Sequence, residues 1–103
     1  MLSLFQISTR SYDDEIPKVR EAIAALEEKC NAKGGCRIGA PVNKAGWTFF
    51  ELELSVEMTE TIETTGMMEG AQGFTISEQL KNFVGHFLES HGSQVRVKKI
   101  DYD

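Results

Sequence analysis

The 103-residue sequence predicts an α+β domain of the ferredoxin-like, split βαβ type. Its order is β, α, β, β, α, β, with two helices packed on one face of a four-stranded antiparallel sheet of spatial order 4-1-3-2. Three observations predict it. Two segments each carry one apolar stripe at helical spacing, and four others show strand periodicity. Pro41, which cannot donate to a ladder, falls in the second strand, which this order places on an edge. The rival is an α+β domain in which residues 59–74 add a further strand or hairpin.

Residues 2–10 read as a strand, with Phe5 and Ile7 facing one way and Leu2 and Leu4 the other, so it is expected to be central. SYDDEIP then opens a helix: Asp13 or Asp14 serves as N-cap, acids crowd the positive end of the dipole, and Pro17 lies in the first turn. Ile16, Val19, Ile23, Leu26 and Cys30 form its apolar stripe, and Gly34 and Gly35 follow its basic end. CRIGAPV alternates Cys36, Ile38, Ala40 and Val42 inward, and Asn43 to Gly46 make a hairpin loop.

The third strand is expected from Trp47 to Met58. Phe50, Leu52, Leu54, Val56 and Met58 form its buried face, and Trp47, Phe49, Glu51, Glu53 and Glu57 lie on the other. Beyond Met58 the pattern decays into TETIETTGMMEGAQG, read as an acidic arm over 59–74, either a protruding strand extension or a loop. A structureless connection longer than about 12 residues is uncommon unless it is functional or disordered. Met67 and Met68 in its middle suit an adaptable contact better than a core. Thr75 and Glu78 form a capping box, and Ile76, Leu80, Phe83, Val84, Phe87 and Leu88 give the strongest helical stripe, closed by Gly92. SQVRVKKIDYD is the final strand.

With 41% hydrophobic and 26% charged residues the chain reads as a single domain over 1–103. No apolar run approaches the roughly 20 residues that span a bilayer, and MLSLFQISTR lacks the layout of a secretory signal. The expectation is a cytoplasmic protein with no membrane contact. Cys30 and Cys36 then read as reduced thiols. Their spacing, with that of His86 and His91, matches no common zinc site, so no metal is expected.

Charge is the most informative feature. No Lys, Arg or His occurs between Lys44 and Lys81, whereas seven glutamates do: Glu51, Glu53, Glu57, Glu60, Glu63, Glu69 and Glu78. The rest of the chain is slightly basic, so this segment supplies the whole net charge of -5. Carboxylates in a solvated row have no apolar pocket to raise a pKa, which argues against paired-carboxylate catalysis. GMMEGAQG lacks a P-loop Lys-Ser/Thr pair, and its Glu69 repels phosphate, so no nucleotide or other cofactor is expected. A thiol nucleophile at Cys36 would need a histidine brought near by the fold. Direct nucleic-acid binding is disfavoured, because Glu51, Glu53 and Glu57 share a strand face with Trp47 and Phe49.

The bland reading is that the glutamates keep a sheet face soluble and pair with Arg37, Arg96 and Lys98. The functional reading is a non-enzymatic binding protein that inhibits or regulates a basic, nucleic-acid-handling protein partner. Its carboxylates would mimic phosphates in a positively charged groove, in the style of phage anti-defence or immunity proteins. The residues expected to carry this are Trp47, Phe49, Glu51, Glu53, Glu57, Glu60, Glu63, Met67, Met68 and Glu69. The alternative is a homodimer through the open sheet face that builds a small-molecule pocket or active site between subunits.

Overall fold

The structure, a computed structural model, describes residues 2–100. The expected final strand runs on to residue 103, and its last three residues lie outside the described residues. Among those described, the protein is α+β, with three helices and an open antiparallel sheet of five strands. The order is β1 (Ser3–Thr9), α1 (Tyr12–Cys30), β2 (Cys36–Ile38), β3 (Val42–Lys44), β4 (Trp47–Leu54), α2 (Val56–Thr64), α3 (Ile76–Ser90) and β5 (Arg96–Ile100).

β1 lies between β4 and β5, in register Ser3 with Leu54 through Thr9 with Thr48 on one side and Leu4 with Ile100 through Ser8 with Arg96 on the other. Its inward Phe5 and Ile7 are fully buried. β2 and β3 both pair along β4, at Leu52–Leu54 and Trp47–Phe49 respectively. The expected single second strand is therefore two short ones. Gly39 N still donates to Glu51 O at 2.8 Å, but Pro41 has no N–H to continue the ladder, and regular pairing resumes only at Val42.

α1 begins earlier than expected. Ser11 is its N-cap, and its carbonyl accepts from Asp14 N and Glu15 N, so Pro17 falls in the second turn and removes one helical donor. Asn31, in the left-handed region at φ 52, ends the helix before the glycines are reached. Glu15 is buried at the start of α1 and accepts from Ser93 Oγ (3.1 Å) and Gln94 N (2.8 Å), fastening that end to the turn before β5. Two hydrogen bonds satisfy a carboxylate oxygen that would otherwise be costly to bury.

The main departure from the sequence reading lies after Leu54. β4 stops there, and Ser55 is the N-cap of α2, its Oγ accepting from Met58 N at 3.1 Å. Met58 and Ile62 are thereby placed one helical turn apart, and both are fully buried in the core. Met58 was expected at the end of a strand, and residues 59–74 as an arm that the core does not use. Instead Thr59 is buried with its hydroxyl 2.9 Å from Ser3 Oγ, and Met67 and Met68 pack against the core from the turns after α2. Gly35 makes this possible, because its carbonyl accepts from Ser55 N at 2.8 Å, and a Cβ there would run into the Met58 side chain.

α3 is capped as its sequence implies, with Thr75 Oγ1 accepting from Glu78 N at 3.1 Å. The reciprocal bond differs: Glu78 Oε2 accepts from Phe74 N, one residue ahead of the cap. Gly73 beside it has φ 144, and a Cβ there would lie 2.7 Å from that of Glu78. Leu80, Val84 and Leu88 are buried, whereas Ile76, expected in the same stripe, is exposed.

Removing the Ser55 hydroxyl is expected to cost about 1 kcal/mol. Met58→Ala is expected to cost about 2–5 kcal/mol, as for any large core side chain truncated to a methyl group. Urea denaturation followed by circular dichroism measures both. A Met58→Ala protein as stable as the parent would mean that α2 does not close the core.

Candidate functional site

The residues singled out by sequence separate onto two surfaces on opposite sides of the sheet. Trp47, Phe49, Glu51 and Glu53 alternate with the buried Phe50, Leu52 and Leu54 and face away from the helices. Glu57, Glu60, Glu63, Met67, Met68 and Glu69 belong to α2 and the turns after it, on the helical side. They do not form one continuous row, because the chain leaves the sheet at Ser55.

The open sheet face is not acidic. Strand pairing sets Glu53 between Arg37 and Leu4, Glu51 beside Gln6, which neighbours Lys98, and Trp47 opposite Lys44. Arg37 Nη1 lies 3.7 Å from Glu53 Oε2, the ion pair expected across these strands. With Arg37 exposed, such a pair contributes little stability, about 0–1 kcal/mol. Trp47 has a different environment from the one expected for it. The guanidinium carbons of both Arg10 and Arg96 lie 4.8 Å from its ring centroid. Among the described residues cations outnumber carboxylates on this face, so Trp47 and Phe49 are not set within an acidic row.

The concentrated negative charge sits on α2. Met58, Thr59 and Ile62 face the core, and Glu57, Glu60 and Glu63, at successive three-residue steps, are exposed. Glu57 suits the positive end of the dipole, but local physics does not favour the rest of this arrangement. Like charges three apart repel, and the last turn has no cation to offset the negative end of the dipole. Thr59, Thr61 and Thr64 donate their hydroxyls to the carbonyls four residues back, at 2.8–2.9 Å, a bond that weakens helices slightly. Glu69 is exposed in the turn that follows, whereas Met67 and Met68 are half-buried and are not a free apolar surface. Sequence reasoning missed two apolar residues that are free in this part of the chain. Phe74 is fully exposed and Ile76 is 61% exposed, Phe74 sitting between Gly73 and the cap of α3. Their signal was present in an apolar pair at alternate positions ahead of the helix's own buried stripe.

The thiols are poor nucleophiles. Cys30 is buried, which raises its pKa. The Cys36 thiol is pushed up from 9.0 to about 12, first by burial, then by the carboxylate of Glu27 and by Cys30. Glu27 Oε2 also accepts from Cys36 N at 3.0 Å, and Cys36 Sγ lies 3.5 Å from Met58 Sδ. His91 stacks on Phe87 with centroids 4.9 Å apart, and its Nδ1 lies 3.0 Å from the Phe87 carbonyl oxygen. His86 is exposed on α3. Among the described residues no three His, Cys, Asp or Glu side chains gather as a metal site, and no helix is long and apolar enough to cross a membrane.

Comparison with known proteins gives no match: no family model fits the chain, and no curated protein or solved structure is significantly similar to it.

Neither thiol is expected to react with iodoacetamide in the native protein near neutral pH, and labelling should follow unfolding. Between pH 9 and about 12 the unfolded Cys36 thiol loses its proton while the folded one keeps it, so stability should fall as pH rises through that window. Denaturation of the parent and of Cys36→Ala across the window measures the difference.

Proposed function

We propose that the chain is a small, non-enzymatic binding protein that docks on a basic surface of a nucleic-acid-handling protein and inhibits or regulates it, as phage anti-defence and immunity proteins do. The observation that carries this reading is the exposed Glu57, Glu60 and Glu63 face of α2, in a stretch with no cation from Ala45 to Leu80. Glu69 extends the charge, and Phe74 and Ile76 supply exposed apolar side chains in the same part of the chain. Glu63 in the last turn works against the helix dipole and the three acids repel one another, which a partner accounts for better than folding does. Carboxylates at regular helical steps suit a groove built for phosphates, and an exposed aromatic residue suits the anchor of an interface. Of the acidic residues that the sequence suggested for docking, those of α2 and the turns after it therefore carry the reading, without Glu51 and Glu53 of β4.

The reading extends to the fold and the compartment. Taking β2 and β3 as halves of one edge strand, interrupted at Gly39 to Pro41, gives the split βαβ order with α2 as an insertion before the second main helix. Two unpaired cysteines are in keeping with a reducing cytoplasm. A second reading is a homodimer through the open sheet face. It is favoured by half-buried Leu4 and Phe49, exposed Val42 and flanking charges of both signs, which suit an isologous contact.

Changing Glu57, Glu60 and Glu63 together to Gln tests the main reading. The variant is expected to be no less stable than the parent in urea and to lose capture of its partner from host lysate at low salt. Undiminished capture would remove the electrostatic claim. Phe74→Ala should weaken capture at high salt as well, and sedimentation equilibrium in high salt separates the homodimer, which would persist there, from a monomer.

A further inference from the structure

We propose that the cleft beside Trp47 is a binding site for a doubly charged oxyanion, the phosphate of a small phosphate monoester or inorganic phosphate itself. The cleft, of about 250 Å³, lies at one end of the open sheet face, and its lining includes Ser8, Ser11, Gln94 and the three side chains Arg10, Trp47 and Arg96. Trp47 is on β4 and Arg96 on β5, two strand spacings apart, about 9–10 Å. Their contact therefore spans β1 above Ser8, whose small side chain leaves the room.

Two cations beside one indole repel each other. Each gains from the ring quadrupole, but neither pairs with a carboxylate among the described residues, whereas Arg37 on the same face pairs with Glu53. Both guanidinium carbons lie 4.8 Å from the same centroid, so they are at most twice that distance apart, and both residues line the same cleft. The indole holds them in place, and their forked donors match phosphate oxygens. The hydroxyls of Ser8 and Ser11 are further donors in the cleft.

Among the described residues one carboxylate lines the cleft, that of Glu15, and its Oε1 is already engaged by Ser93 and Gln94. Asp13 and Asp14, exposed in the first turn of α1, are the other acids nearby in the chain. These acids oppose a high total negative charge and favour a compact ligand that reaches both arginines. A nucleic-acid strand crossing the sheet would also have to pass Glu51 and Glu53, so the single compact dianion is the better fit.

Trp47 is the one tryptophan in the chain, so its fluorescence reports on this cleft directly. The experiment titrates the full chain with inorganic phosphate and with glycerol phosphate, using acetate and potassium chloride at matched ionic strength as controls. Calorimetry serves as a second readout for variants that alter the indole's surroundings. Saturable binding of phosphate or the ester, absent with acetate and chloride, is expected. A tighter ester assigns the ester as ligand, and equal binding assigns the phosphate group alone.

Arg10→Ala and Arg96→Ala, with unchanged circular dichroism, should each weaken binding about tenfold or more, the usual loss when a charged hydrogen-bond partner is removed. Lysine at either position should only partly restore it. A phosphate response no larger than that of chloride would overturn the proposal. So would equal binding by acetate, retention of binding in both alanine variants, or binding by a single-stranded oligonucleotide alone.

Discussion

The structure depends on one local event, the capping of a helix by Ser55. Its hydroxyl takes up the Met58 N–H, and its own N–H is held by the Gly35 carbonyl. Those two bonds turn the chain out of β4 just as its inward face reaches Leu54. Had the strand continued, Met58 would have projected from its far end and Ile62 would have had no core to enter. Turned into a helix, the same residues cover the end of the core where Ser3, Leu54 and Cys36 lie. Gly35 is the other half of the device, because its lack of a side chain lets Met58 come down on the loop.

That turn also divides the charge. A continued strand would have displayed Glu51, Glu53 and Glu57 in one row. The cap instead leaves Glu51 and Glu53 on a sheet face shared with Arg10, Arg37, Lys44, Arg96 and Lys98, and carries the remaining glutamates to the helical side. The molecule thus has two electrostatic surfaces of different character. One has cations in excess and a tryptophan between two arginines. The other is an acidic helix followed by exposed Phe74 and Ile76. Cation–π contacts with a partly buried ring hold the first in shape. The second is held from below by Met58, Ile62 and the buried Thr59 hydroxyl, with solvent over its carboxylates.

The places where sequence reasoning failed share a physical cause. Leu54, Val56 and Met58 satisfy a strand's period of two, while Met58 and Ile62 satisfy a helix's period of four, and both patterns run through Met58. Local periodicity could not choose. The choice was made by the Ser55 cap and by the room left over the core beside Gly35, one a hydrogen bond and the other a contact from twenty residues earlier in the chain. The two arginines were invisible for a related reason. Arg10 and Arg96 stand at opposite ends of the sequence, and only the pairing of β1 with both β4 and β5 brings them to the same indole. Cys36 could not be settled in advance either, because its burial and its nearness to Glu27 and Cys30, which raise its pKa, are set by the fold.

The sequence by itself determined what depends on nearest neighbours along the chain. It set the α+β class, the apolar faces of α1, α3, β1 and β4, the Thr75 cap and the place of the Pro41 segment at a sheet edge. It also determined that one stretch would carry the net negative charge. Tertiary structure alone decided how that charge is presented, since a strand and a helix place the same glutamates on opposite sides of a sheet. It alone decided that Trp47 would meet cations and not carboxylates, because side-chain neighbours across a sheet are fixed by register between strands remote in sequence.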